Sequence, residues 1–113
     1  MIITITSIKI RKLWYFFILS YLGLKVQLGI KSKEGFIKMK NTGFGYLHYT
    51  LTCWKSAEDM KNFARSGEHV EALKWSKKLA TEVRAYTFEA ERIPDWKEAK
   101  ELVFENGRII SFE

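Results

Sequence analysis

One histidine occupies the middle of an apolar helical stripe and is the residue best placed to do chemistry. The stretch FARSGEHVEAL, residues 63–73, interrupts a helical pattern at Ser66-Gly67 and restarts it at once, with His69 in the new helix. Small residues near the histidine leave room beside it, so the pattern predicts a helix that lines a cavity. On a wheel of about 100° per residue, these residues lie within roughly 80° of His69: Ala72, Leu73, Ser76, Leu79, Ala80 and Val83.

His69 has two interpretations. It is either a core histidine whose ring nitrogens bond to the backbone or a hydroxyl, or the polar group of a small-molecule pocket. In the second case it is a catalytic acid or base for a small apolar substrate, or the axial ligand of a haem. Its predicted pocket walls are Trp54, Phe63, Ser76 and Trp96.

The remaining reactive side chains predict little chemistry. His48 alternates onto the strand face of Trp54, which favours an interface residue, and Cys53 is expected in the core. A single cysteine suits a reducing compartment, so we expect a cytoplasmic protein. One cysteine and two histidines cannot form a four-ligand zinc site, and no metal is expected.

The elements that position these residues alternate in a recognisable order. A strand with a bulge at Ser7 precedes a long apolar helix, a hairpin, two consecutive helices that separate at Gly67, a fourth strand and a last helix. The order predicts an α+β, ferredoxin-like βαββαβ antiparallel sheet with helices on one face, forming a single domain over residues 1–113. The predicted ranges are 2–10, 11–29, 35–40, 46–54, 57–65, 68–82, 85–93 and 95–107, with a turn at 41–45.

Two apolar surfaces suggest burial by a partner. Both faces of the 46–54 strand carry bulky residues, which favours a homodimer that packs sheet against sheet. The uncharged run 13–24 is too short to span a bilayer, since a spanning helix needs roughly 20 apolar residues. We therefore expect a buried helix and no membrane.

The charge is uneven along the chain. Residues 1–40 hold eight Lys or Arg against one acid, whereas residues 41–113 hold eleven against twelve. No nucleic-acid-binding motif accompanies the basic excess, so no nucleic acid is expected. The alternative that the charge leaves open is a non-catalytic binding or assembly module, whose basic N-terminal third contacts an acidic partner.

A family resemblance covers residues 47–99. The strand TLTCW, the helix SAEDMKNFARSGEH and the strand end IPDW resemble a branch of the dimeric α/β-barrel superfamily. Within it, the chain is similar to small proteins related to spheroidene monooxygenase and, more distantly, to antibiotic biosynthesis monooxygenases.

The resemblance implies two chains whose sheets pack into a barrel, each with a small-molecule cavity between sheet and helices. Related families either bind haem or oxidise substrates without a cofactor. The matching residues Phe63, Ser66, Gly67 and His69 place the histidine at a haem position. The sequence therefore predicts a small-molecule-binding protein, monooxygenase-like if it is an enzyme, that acts on an apolar or aromatic substrate.

Overall fold

The computed structural model describes residues 1–111, apart from the side chain of Glu68, as a five-stranded antiparallel sheet with four helices. The strands lie in the order β2-β3-β1-β4-β5. The elements are β1 (Ile2–Ile10), α1 (Tyr15–Ile30), β2 (Phe36–Phe44), β3 (Leu47–Trp54), α2 (Ala57–Ala64), α3 (Gly67–Leu79), β4 (Ala80–Glu89), α4 (Trp96–Asn106) and β5 (Arg108–Ser111).

The central strands bury side chains on both faces of the sheet. Because successive residues of a strand point to opposite faces, Ile3 and Ile5 lie on one face and Ile2 on the other. The first face, here called the α4 face, packs Ile3 and Ile5 against Val103 of α4. The second, here called the α1 face, packs Trp54 against α1 and α2. The sheet is therefore the middle layer between two helical layers.

Side-chain caps start two of the helices. The Ser56 hydroxyl accepts a hydrogen bond from the backbone N–H of Asp59 at 3.2 Å, which caps α2. The Asp95 carboxylate accepts from the N–H of Glu98 at 2.8 Å and caps α4. These bonds fix where the helices begin and hence which residues face the sheet.

The break between α2 and α3 is confirmed, but α3 ends earlier than predicted. It stops at Leu79, and β4 begins at Ala80 instead of residue 85. Ala80 pairs with Ile10, and Val83 pairs with Ile8. Both residues therefore belong to the sheet, and the predicted continuation of the His69 stripe through them is wrong. Pairing with the long β1 strand overrides the helical pattern here.

The β2–β3 hairpin is longer and tighter than predicted. Residues 41–44, assigned to a turn from the sequence, continue β2 and pair with residues 47–50. Only Gly45 and Tyr46 separate the strands, and Gly45 supplies the left-handed φ of 63° that the turn needs. The short strand β5 was not predicted.

The strand β1 contains its irregularity later than predicted. The register shifts between Lys9 and Ile10, whereas Ser7 keeps the regular alternation and is buried. The bulge predicted at Ser7 is wrong, because Ser7 itself occupies the inward position that a hydrophobic residue usually takes.

The helix α1 starts four residues later than predicted and is mostly exposed within one chain. Only Leu22 and Ile30 are buried, and Ile30 packs in the cluster with Trp54 on the α1 face of the sheet. The predicted burial of the whole helix is therefore wrong for the single chain. Within residues 1–111, no helix combines the length and the apolar character that crossing a bilayer requires.

The ferredoxin-like α+β class is confirmed, but the predicted placement of all helices on one face is wrong, because both faces of the central strands are apolar and need cover. The helices α1 to α3 form one layer, and α4 packs on the opposite side of the sheet from them. The homodimer through the sheet face stays a prediction.

The two-sided core predicts a large difference between two leucine-to-alanine substitutions. Leu51 is fully buried on the α4 face, so Leu51→Ala should lower the free energy of unfolding by about 2–5 kcal/mol. Leu28→Ala, at a site 66% exposed, should change it by no more than about 0.5 kcal/mol. Urea unfolding of the two variants beside the wild type measures both values. Equal losses would contradict the assigned core.

Candidate functional site

A half-enclosed cleft lies on the α4 face, between the sheet and the C-terminal half of α4. It has a volume of about 250 Å³ and is here called the α4 cleft. Strands β1, β3 and β4 form its floor, and α4 forms its wall. Its lining residues are Ser7, Lys9, Tyr46, Leu47, Tyr49, Glu82, Arg84, Lys100, Val103 and Phe104.

Arg84 is held rigidly at one side of the α4 cleft. Its Nε donates a hydrogen bond of 2.7 Å to Glu82, and its Nη1 donates to the backbone oxygen of Phe104 at 3.0 Å. The guanidinium also lies 4.6 Å from the centre of the Phe104 ring. These contacts tie β4 to α4 and fix the guanidinium before any ligand arrives.

A tyrosine and a lysine complete the polar part of the cleft. The Lys100 ammonium lies 5.1 Å from the centre of the Tyr49 ring. Burial raises the pKa of the Tyr49 phenol, and the positive charge of Arg84 partly offsets that rise. Tyr49 therefore stays protonated at neutral pH and is available to donate a hydrogen bond.

The α4 cleft combines positive charge with apolar surface. Three lining residues are basic, Lys9, Arg84 and Lys100, and one is acidic, Glu82. Leu47 and Val103 supply aliphatic surface beside the aromatic rings. Such a site favours a flat or aromatic molecule that carries an anionic oxygen, because the cations stabilise the ionised form.

His69 lies on the other side of the sheet, at the break between α2 and α3. Its ring meets the edge of Phe63, with 5.2 Å between ring centres. Burial lowers the pKa of His69, and a hydrogen bond to the backbone of Ala64 works in the opposite direction. The imidazole is therefore neutral at physiological pH.

Three buried polar atoms around Phe63 have no hydrogen-bond partner within the described part of the chain. They are Trp54 Nε1, Ser66 Oγ and His69 Nδ1. Trp54 stacks on Phe63 with ring centres 5.1 Å apart, and the Ser66 N–H donates to the Phe63 carbonyl. Because unpaired buried polar atoms are costly, this cluster is a second place where a ligand's polar group could bind.

The predicted pocket residues do not all meet. Trp54 and Phe63 lie with His69, whereas Ser76 donates its hydroxyl to the backbone oxygen of Ala72. Trp96 lies on the α4 face, 6.5 Å from Tyr49 between ring centres. Trp96 is thus on the wrong side of the sheet to share a pocket with His69, and its predicted place in that wall is wrong.

His48 and Cys53 serve the packing of the fold. His48 stacks on Phe16 of α1 at 5.4 Å, and its Nε2 donates to the backbone oxygen of Gly45 at 2.9 Å. His48 therefore packs between the β2–β3 turn and α1, on the α1 face of the sheet. Cys53 is fully buried in the core, as predicted.

The surroundings of His69 do not fit a haem. An axial ligand must point into a space large enough for the porphyrin, and His69 lines neither the α4 cleft nor the second, apolar cleft beside α1. One ring nitrogen is buried among protein atoms, and the ring bonds to the Ala64 backbone. Among the described residues, no group of three or more His, Cys, Asp or Glu side chains could hold a metal.

The residues of the α4 cleft were missed because the start of β4 was missed. From Ala80 onward, alternation places Glu82, Arg84 and Tyr86 on one face, opposite Lys9, Ser7 and Ile5 of β1. A sequence reading that began the strand at residue 80 would have found an arginine facing the core beside Tyr49. This inward-facing arginine is the sequence feature that could have indicated the cleft.

The lowered pKa of His69 predicts a pH-dependent stability. The unfolded histidine has a pKa of about 6.5, so below that value the unfolded chain binds more protons than the folded one. The free energy of unfolding should therefore fall as the pH drops through 6.5 towards the lowered folded value. His69→Gln should remove this part of the pH dependence. Urea unfolding at a series of pH values tests it, and identical pH profiles for both proteins would contradict it.

Comparison with solved structures identifies the fold. A candidate antibiotic biosynthesis monooxygenase from Deinococcus radiodurans superposes with a TM-score of 0.74 at 13% identity, over 84% of this chain and 97% of that one. A candidate from Nitrosomonas europaea gives 0.74 at 8%, over 81% and 100%. SnoaB, a cofactor-independent oxygenase from Streptomyces nogalater, gives 0.69 at 7%, over 83% and 96%.

The sequence itself matches no protein-family model and no curated protein. At such low identities the structural likeness concerns the fold and carries no residue roles across. The resemblance seen in the sequence is confirmed at that level: the chain has the ferredoxin-like fold of the antibiotic biosynthesis monooxygenase-like proteins.

Proposed function

We propose that the protein binds a small aromatic molecule with an ionisable oxygen in the α4 cleft and oxidises it with molecular oxygen, without an organic cofactor. The observation that carries the proposal is the fixed Arg84 guanidinium beside Tyr49 and Lys100 in a half-enclosed cleft. The monooxygenase-like fold supports it, since SnoaB, which shares that fold, is a cofactor-independent oxygenase.

The chemistry uses a substrate whose anion reacts with oxygen directly. A ring-activated CH₂ group loses a proton to solvent water, and the resulting carbanion, delocalised onto the oxygen, bonds to O₂ to form a peroxide anion. That anion takes up a proton, and the O–O bond then breaks with loss of water, so the CH₂ carbon becomes a carbonyl. The substrate supplies the electrons and O₂ accepts them.

The residues of the cleft match the needs of that substrate. Arg84 and Lys100 lower the free energy of the substrate anion, which makes the first proton loss easier. The protonated Tyr49 hydroxyl donates a hydrogen bond to the same oxygen. Val103 and Phe104 line the cleft and offer apolar surface on which the ring can pack.

Removing the Arg84 charge should remove most of the activity. Arg84→Gln should slow oxygen consumption about a hundredfold, which is typical of losing one preorganised group that stabilises an anion. The measurement is an oxygen-electrode assay with a panel of enolisable aromatic ketones and phenols. The matched control is Arg92→Gln, because Arg92 pairs with Glu98 on the exposed surface of the chain. Equal rates in Arg84→Gln and wild type would contradict the proposed site.

A second candidate site surrounds His69. Its support is the group of unpaired polar atoms around Phe63, together with a neutral imidazole. In this alternative, the protein binds a small molecule between α2, α3 and the α1 face, and His69 accepts or donates a proton at Nδ1. Phe63 and Trp54 would then contact the ligand's apolar part.

The two sites make opposite predictions for one histidine variant. If the α4 cleft is the reaction site, His69→Gln should retain ligand binding and oxygen consumption, while Arg84→Gln loses them. The reverse result would move the reaction to His69. Added haemin should give no histidine-ligated Soret band in the wild type. A band that disappears in His69→Gln would overturn the conclusion that haem does not fit.

A further inference from the structure

The outer side of α1 carries a continuous apolar stripe. Five side chains recur at intervals of three and four residues, so they lie along one side of the helix. Each is more than half exposed, and the stripe extends for about 21 Å at the helical rise per residue. The stripe comprises Trp14, Phe17, Tyr21, Leu24 and Leu28.

The tip of the β2–β3 hairpin extends this surface at the start of α1. Phe44 is 93% exposed and lies at the turn. An apolar cleft of about 410 Å³ joins the two elements, and both Phe44 and Trp14 line it. The helix stripe and the hairpin tip therefore form one surface, here called the α1 surface. An exposed apolar surface of this extent marks an interaction site.

Positive charge surrounds the α1 surface. Lys12 and Lys31 stand at the two ends of α1. Along its flank, α3 adds the exposed Lys74 and Lys78. Lys25 lies at mid-helix and pairs loosely with Glu71 at 3.4 Å. The partner of this surface should therefore be anionic as well as apolar.

We propose that the α1 surface docks the protein on an anionic membrane surface. Aromatic side chains such as Trp14 and Tyr21 favour the boundary between lipid headgroups and acyl chains, and flanking lysines attract anionic lipids. A helix that lies in this boundary buries its apolar side and does not cross the bilayer. A second copy of the chain is a poorer occupant, because two-fold pairing would set the same basic rim against itself.

The proposal of membrane docking differs from the sequence-based expectation of no membrane contact. That expectation rested on the length of the uncharged run 13–24, which is too short to span a bilayer. Length decides whether a segment can span, whereas exposure decides whether it can lie on the surface. The expectation treated the run as buried, and the structure exposes most of it.

Vesicle co-sedimentation with a matched pair of variants tests the proposal. Wild type should bind phosphatidylcholine vesicles that contain phosphatidylserine, bind much less to pure phosphatidylcholine vesicles, and dissociate as salt rises. Leu24→Glu should lose binding at least tenfold. Ile109→Glu should retain it, because Ile109 is equally exposed, at 53% against 54%, but lies on β5 away from α1. Lys12→Gln should weaken binding about fivefold, the effect of one surface cation.

Three results would overturn the proposal. The first is no binding to anionic vesicles, and the second is equal binding to neutral and anionic ones. The third is equal loss in Leu24→Glu and Ile109→Glu when circular dichroism shows that both are folded. Sedimentation without lipid identifies the rival occupant: a wild-type dimer that Leu24→Glu makes monomeric, with no vesicle binding, would assign the surface to a second copy.

Discussion

Burial on both faces of the paired strands β1 and β3 is the constraint on which the rest of the structure depends. Alternation sends Ile3 and Ile5 to one face, and Ile2 and Trp54 to the other. One helical layer can cover only one face of a sheet, so a sequence that is apolar on both needs a second cover. The chain supplies it by returning α4 across the sheet, where Ala99 and Val103 contact the buried strand residues.

The α4 cleft exists because α4 covers only part of this face of the sheet. The helix α4 covers the sheet from Trp96 to its C-terminal end, near Phe104, whereas β1 and β4 extend beyond it through Lys9 and Glu82. The uncovered end of the face is therefore bounded by a helix end on one side and by charged strand residues on the other. Arg84 bridges the two by bonding to Glu82 and to the Phe104 backbone. The same contacts that join the layers also fix the cation at the cleft.

The fold was predictable because its signals are local. Caps at Ser56 and Asp95, the break before Gly67 and the alternation of β3 each depend on a few neighbouring residues. The site was less predictable because it depends on where one strand begins. Residues 80–84 follow a helical pattern closely enough to extend α3, and only pairing with β1 makes them a strand. Because β4 starts at Ala80, Arg84 lies within the strand and lines the cleft.

The location of Trp96 is a second feature that the sequence could not predict. Its helix was predicted at 95–107, but the apolar stripe of a helix does not state which face of a sheet it covers. The assumption of helices on one face therefore put Trp96 with His69. The choice between faces depends on residues distant in the sequence, because Ala99 and Val103 of α4 pack with Leu51 and Cys53 of β3.

The two-sided arrangement also separates the roles proposed for this chain. The α1 surface and the α4 cleft lie on opposite sides of the sheet, so a membrane bound at α1 would leave the cleft open to water. The homodimer through the sheet face stays a prediction; if it formed through the α4 face, it would instead cover the open side of the cleft. Membrane docking and pairing therefore do not compete for the same surface, and the burial of charged Arg84 in a dimer would strengthen its interaction with a bound anion, because water would screen it less.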